Sequence, residues 1–230
     1  MWIELFLSLL LAHIVADFVL QTRKGCNDKV ERKWRSLYHY SHALVVFALS
    51  WLVVRDVQFW WCALVIAVTH FIIDMWKSYR EENVVWFSVD QFLHALVLVS
   101  VSMFWSCRNV LSLPFGITTR IVAIAVAALI CWKPANIFIK LMLRYYSVNM
   151  PEDDAKTGFN AGALIGDLER WLILAFVLMQ HYEALGLLIA AKSIIRFGDA
   201  QTRKSEYVLA GTLLSIFIAV VTGLMVGMAS

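Results

Sequence analysis

The sequence predicts an all-α membrane protein, a polytopic helix bundle that crosses the bilayer about eight times with both termini on the non-cytoplasmic side. Three observations predict it. Apolar residues make up 61% of the 230 and charged residues only 16%, with a mean hydropathy of +0.71. A soluble globule of this length could not hide so much apolar surface, whereas a lipid solvent removes the need to hide it. The apolar residues also fall in runs of helix length, and the basic residues gather in alternate stretches between those runs.

The first run is Trp2 to Gln21. It has no basic n-region, carries Glu4, and is followed by Arg23, Lys24, Lys29, Arg32, Lys33 and Arg35, the order of a retained span rather than a cleaved signal peptide. Further spans are Tyr38 to Val54, Val57 to Trp76, Val84 to Trp105, Ile117 to Lys133, Leu168 to Gln180, Ala184 to Phe197 and Tyr207 to Met228. Threaded alternately, they put the six basic residues just named on the inner side, with Lys77, Arg80, Lys140, Arg144, Lys156, Arg196, Arg203 and Lys204. Only Arg55, Arg108 and Arg120 fall outside, a count of fourteen against three. After Pro134, Asn136, Lys140 and Arg144 share one side while Ile137, Phe138, Leu141 and Tyr145 fill the other. That segment reads either as a helix lying along the inner membrane surface or as a kinked continuation of the fifth span.

Three prolines, no polar linker and no internal repeat give one integral membrane unit with two four-span halves, residues 1–106 and 107–230. Cys26, Cys62, Cys107 and Cys131 lie far apart without C-x-x-C spacing, which suggests neither a disulfide framework nor a zinc knuckle.

The chemistry is concentrated in the first half. His13 and Asp17, His70 and Asp74, and Asp90 and His94 each have the i,i+4 spacing that stacks two side chains on one helix face. In the inward-running first and third spans the polar pairs come late; in the outward-running second and fourth, which also carry His39, His42 and Gln91, they come early. All therefore converge at one depth in the cytoplasmic half of the bilayer. An ionised carboxylate in a helix centre costs about 2.5–3.5 kcal/mol on insertion scales, so three at one level need compensation. A divalent metal ion supplies it, and imidazole with carboxylate suits Zn, Mn, Fe or Ni. The candidate ligands are His13, Asp17, His42, His70, Asp74, Asp90 and His94, with His39 nearer the surface. The competing readings are His–Asp pairs that satisfy one another and a proton relay.

The second half carries Glu169, Arg170, Lys192 and Arg196, placed by the same threading on the cytoplasmic side, and a Gly162/Gly166 pair spaced for close helix approach. Arg170, Lys192 and Arg196 read as a cradle for phosphate or carboxylate, or alternatively as snorkelling cations paired with Glu169 or Asp199.

The runs Leu10-Leu11-Ala12-His13-Ile14-Val15-Ala16-Asp17-Phe18-Val19-Leu20-Gln21, Thr69-His70-Phe71-Ile72-Ile73-Asp74 and Asp90-Gln91-Phe92-Leu93-His94 resemble the bacterial membrane family catalogued as domain of unknown function 3307. The later stretches Leu168-Glu169-Arg170, Ala190 to Phe197 and Glu206 to Ser215 look like the carboxy-terminal part of its longer members. The resemblance implies a bacterial inner-membrane, multi-pass protein and the same His, Asp and Gln positions. It implies no reaction.

The leading expectation is a metal-dependent hydrolase acting at the cytoplasmic leaflet on a phosphate-containing lipid or nucleotide. Asp17 or Asp90 would be the general base, and Arg170, Lys192 and Arg196 would hold the transferred group. The alternatives are an ion or proton transporter built on the His/Asp cluster, and a non-catalytic sensor or effector with a structural metal. The bilayer and an anionic phosphate-containing ligand are the expected partners, and the glycines of the last span are compatible with an oligomer. Nucleic acid is not expected, because the basic stretch Arg23 to Arg35 is mixed with Asp28 and Glu31 against a membrane exit.

Overall fold

A computed structural model describes residues 2–107, 118–146, 161–197 and 203–228, with side chains described except at 161, 193–197 and 203–208. Every regular element among the described residues is helical. Helix α1 (Trp2–Ile14) continues as a π-helical stretch, Val15–Leu20. It is followed by α2 (Arg23–Arg32), α3 (Leu37–Val54), α4 (Trp60–Lys77), α5 (Val84–Ser106), α6 (Thr119–Ile130), α7 (Lys133–Tyr145), α8 (Ala161–Leu178), α9 (Tyr182–Phe197) and α10 (Arg203–Met228).

The loops in the first half supply their own helix starts. Thr22 Oγ1 accepts from the Gly25 N–H to open α2, Ser36 Oγ from the Tyr38 N–H to open α3, and Asn83 Oδ1 from the Trp86 N–H to open α5. Each cap satisfies a backbone donor that the first helical turn leaves free. Gly25 has a further role, since a Cβ there would lie 2.2 Å from the Tyr38 ring. Its missing side chain lets α2 lie directly on the start of α3.

Among the described residues six segments are long and apolar enough to cross a membrane: Trp2–Leu20, Leu37–Val54, Val57–Lys77, Val84–Ser106, Thr119–Tyr145 and Leu209–Met228. Their outward residues match a lipid solvent, with Leu44, Leu52, Val68, Ile72, Phe92 and Met103 all exposed. Two predicted spans are less clear-cut for physical reasons. Helix α8 carries Asp167, Glu169 and Arg170 near its middle, and α9 is only 16 residues long, short of the roughly 20 a bilayer core asks for. The segment after Pro134 is a separate helix, with Pro134 in its first turn and a break at Cys131 and Trp132; it lies within one 27-residue apolar stretch with α6.

The chain divides into two compact units, Met1–Val126 and Ala127–Ser230. In the first, α1 packs on α3 and α5, and α4 packs on the same two, closing a four-helix ring. One half of its interior is apolar: Leu5, Leu9, Val46, Phe59, Ile66, Leu98 and Trp105 are all buried, with Phe59 set edge-on to Trp105 at 5.0 Å. The other half is polar and carries the His and Asp residues.

In the second unit α10 packs along α8, and α7 contacts both. The approach is close enough that a Cβ at Gly223 would lie 2.7 Å from Val177 Cγ1 and 3.0 Å from Val177 Cβ. Gly223→Val is therefore expected to cost about 1–3 kcal/mol through overpacking. A lower melting temperature in detergent checks it, whereas an unchanged value would mean that α8 and α10 sit further apart.

Candidate metal centre

The ring of α1, α3, α4 and α5 brings all seven predicted ligands together at the end of the bundle bordered by α2 and the α4–α5 loop. His13, His42, His70, Asp90 and His94 are buried, and the Asp17 and Asp74 side chains are 9% and 11% exposed. Asp17 lies in the π-helical stretch, where i to i+5 hydrogen bonding adds a residue to the turn and turns its carboxylate toward α3 and α4. Asp17 Oδ2 is 3.8 Å from His13 Nε2 on its own helix, while Asp17 Oδ1 lies 3.1 Å from His42 Nε2 and 3.3 Å from His70 Nε2.

His42 Nε2 and His70 Nε2 are themselves 3.0 Å apart. The three donor atoms thus form a triangle with edges of 3.0, 3.1 and 3.3 Å. Donors that share one ion at roughly 2.0–2.2 Å lie about 2.8–3.1 Å apart in octahedral and about 3.3–3.6 Å apart in tetrahedral geometry, so the triangle has the dimensions of one face of a coordination shell. Asp74 Oδ2 stands 3.8 Å from both imidazole nitrogens, in reach as a fourth ligand after a small adjustment. Around this face His94 stacks on His70 with ring centres 4.1 Å apart, and the ligand atoms of Asp17, His70, Asp74 and His94 all fall within 4.8 Å of one another, as do those of His13, His70 and His94.

Two cations that sequence reasoning had assigned only to an inner loop also belong to the cluster. Lys29, on α2, is buried and donates to Asp74 Oδ2 at 2.5 Å, and Lys77, the last residue of α4, pairs with Asp90 Oδ2. Gln21, with its amide nitrogen donating to the Asp17 backbone carbonyl at 3.2 Å, accepts from Lys29 Nζ at 2.6 Å. Gln91 donates to Asp90 Oδ2 at 3.0 Å and lies 3.5 Å from His13 Nε2. The signal in the sequence is the charge balance itself: three carboxylates at one depth need cations, and Lys29 and Lys77 both border that depth from the inner side.

These lysines neutralise two carboxylates, but they do not satisfy the cluster. Asp90 Oδ1 and His94 Nε2 are buried, 3.4 Å apart, and neither has an aligned hydrogen-bond partner. Buried polar atoms left in this state are costly unless a group not yet accounted for engages them. His39 is equally buried, has both ring nitrogens without a hydrogen bond, and faces Phe71 at 5.9 Å rather than the carboxylates.

The sequence model of the family described as "Protein of unknown function (DUF3307)" matches residues 5–122, just over half of the chain. The chain belongs to this family. No curated protein and no solved structure matches it. The DUF3307 match takes in all seven cluster residues together with Lys29 and Lys77. It ends before the second-half stretches, so Arg170, Lys192 and Arg196 lie outside it.

In the second unit Arg170 is 1% exposed and its guanidinium is already engaged. Nε donates to the Cys131 carbonyl at 2.5 Å, Nη1 to Ser215 Oγ at 3.0 Å, and Nη2 to Asn136 Oδ1 at 2.6 Å and Asp167 Oδ1 at 2.5 Å. This is an internal brace tying α7, α8 and α10, with no open face for a phosphate. Gly166 makes room for it, because a Cβ there would meet Arg170 Nη1 at 3.3 Å and its nearest neighbours are all guanidinium atoms rather than a facing helix. Lys192 pairs with Glu169, both partly exposed. The side chain of Arg196 lies outside the described residues.

Proposed function

We propose that this chain is a metal-dependent hydrolase of the bacterial inner membrane, acting at the cytoplasmic leaflet on a phosphate-containing lipid or nucleotide. In this reading it crosses the membrane eight times, with both termini on the non-cytoplasmic side. The observation that carries the proposal is the triangle of Asp17 Oδ1, His42 Nε2 and His70 Nε2, with edges of 3.0 to 3.3 Å. A divalent ion held there, of the Zn, Mn, Fe or Ni kind, would polarise a phosphoryl oxygen or lower the pKa of a water.

The residues then divide their work. Asp17 Oδ1, His42 and His70 would hold the ion, with Asp74 in reach, and His13 and His94, packed beside Asp17 and His70, would orient them. Asp90 is the better general base, since its Oδ1 has no hydrogen-bond partner whereas Asp17 Oδ1 is taken up in the triangle. In the metal-loaded protein, Asp90→Asn is expected to retain the ion while hydrolysis falls about 100-fold or more. A metal-replete wild type that turns over nothing across a broad phospholipid and nucleotide panel would end the hydrolase reading.

The ion pairs Lys29–Asp74 and Lys77–Asp90, joined to imidazoles 3.0 Å apart at His42 and His70, favour a second reading as an ion or proton relay. That reading expects metal or proton flux in proteoliposomes that disappears in Asp74→Asn.

A further inference from the structure

We propose that Lys29 and Lys77 form, beside the metal-loaded cluster, a subsite for one singly charged oxyanion of the phosphodiester class. This rests on the reading of the cluster as a metal centre and names the ligand that such a centre would take.

The argument begins with charge. Asp17, Asp74 and Asp90 bring three negative charges, and Lys29 and Lys77 bring two positive ones into contact with Asp74 and Asp90. Histidines that ligate a metal do so as neutral imidazoles. With its four imidazoles neutral, the cluster without an ion is one charge negative, and with one divalent ion it is one charge positive. A bare net charge in a bundle bounded by hydrocarbon is expensive, and a single monoanion cancels it. A phosphodiester carries one negative charge, and its two non-bridging oxygens can reach an ion and an ammonium group together.

Geometry says where the anion would sit. Lys29 reaches the cluster from α2, which lies outside the spanning segments, and its side chain is only 7% exposed. Lys77 reaches it from the end of α4 and is 38% exposed. Both approach from the loop-bearing end of the bundle, so an anion meets them without crossing the apolar half built on Leu5, Phe59 and Trp105. An ammonium group has three donors, so each lysine keeps N–H groups to spare beside the carboxylate it meets. Their N–H groups then turn to the incoming oxyanion. A lipid headgroup and a free ester share this chemistry.

The test uses the full chain in maltoside micelles, metal-loaded, as wild type, Lys29→Met, Lys77→Met and Lys29→Arg. Metal content is measured by mass spectrometry, dimethyl phosphate binding by calorimetry, and retention of phosphatidylglycerol by native mass spectrometry. Each Met variant is expected to keep wild-type metal and bind dimethyl phosphate about tenfold more weakly, with Lys29→Arg restoring binding. Preferential retention of phosphatidylglycerol supports the subsite and assigns it to a lipid headgroup, whereas preference for dimethyl phosphate supports it and assigns it to a free ester. Unchanged diester affinity in both Met variants, with metal retained, overturns this inference alone. A folded wild type without metal overturns it together with the metal centre. Lys77→Met, at the more exposed position, keeps the test decisive if Lys29→Met does not fold.

Discussion

His70→Ala is expected to lower the affinity for metal more than any other single replacement in the cluster, by upwards of about 100-fold. His70 is 2% exposed, stands 3.0 Å from His42 Nε2 and 3.3 Å from Asp17 Oδ1, and of the three triangle residues is the one present in both groups whose ligand atoms cluster within 4.8 Å. Removing it breaks two edges of the triangle at once. His13→Ala is the matched comparison, because His13 lies 3.8 Å from Asp17 Oδ2 and 3.5 Å from Gln91 but contributes no edge. Its loss is expected to cost about 10- to 100-fold, the usual effect of a residue that orients a ligand. Metal content after a graded chelator challenge separates the two. Metal kept in His70→Ala and lost in His13→Ala would move the centre away from the triangle.

Arg170→Met is expected to destabilise the protein by about 3–5 kcal/mol, the cost of leaving a buried charge without its partner. The replacement strips Asp167 of its cation and leaves the Cys131 carbonyl and Asn136 Oδ1 without the donors described for them. The double replacement Arg170→Met with Asp167→Asn should recover part of the loss, since it removes the stranded charge. Lys192→Met provides the contrast: the Lys192–Glu169 pair is 32% and 24% exposed, and such pairs are worth about 0–1 kcal/mol. Melting temperatures in one detergent rank the three variants. A small shift for Arg170→Met would show that the guanidinium is not a brace, and would reopen its role as an anion contact.

The positions of the cluster were legible in the sequence because two periodicities coincide. The i,i+4 spacing of His13/Asp17, His70/Asp74 and Asp90/His94 aligns each pair on a helix face, and their early or late position in alternating spans sets a common level. The lysines were not legible as partners. Lys29 lies in a polar helix and Lys77 at a span end, where a basic residue is expected from topology alone, and only folding reveals which carboxylate each one meets. Arg170 posed the opposite problem. A buried arginine and an anion-binding arginine look identical in a sequence, and the difference lies in Cys131, Asn136 and Ser215, which are remote along the chain.

By itself, then, the sequence determined the helical class, the apolar segments and the level at which the His and Asp residues gather. These depend on composition and on period, which are local properties of a helix in lipid. Tertiary structure alone decided that α1, α3, α4 and α5 close into a ring and that the π-helical stretch swings Asp17 into a triangle with His42 and His70. It alone decided, too, that Lys29 and Lys77 counter Asp74 and Asp90. Distances between side chains on different helices depend on how those helices pack, and packing is fixed by contacts that no local pattern records.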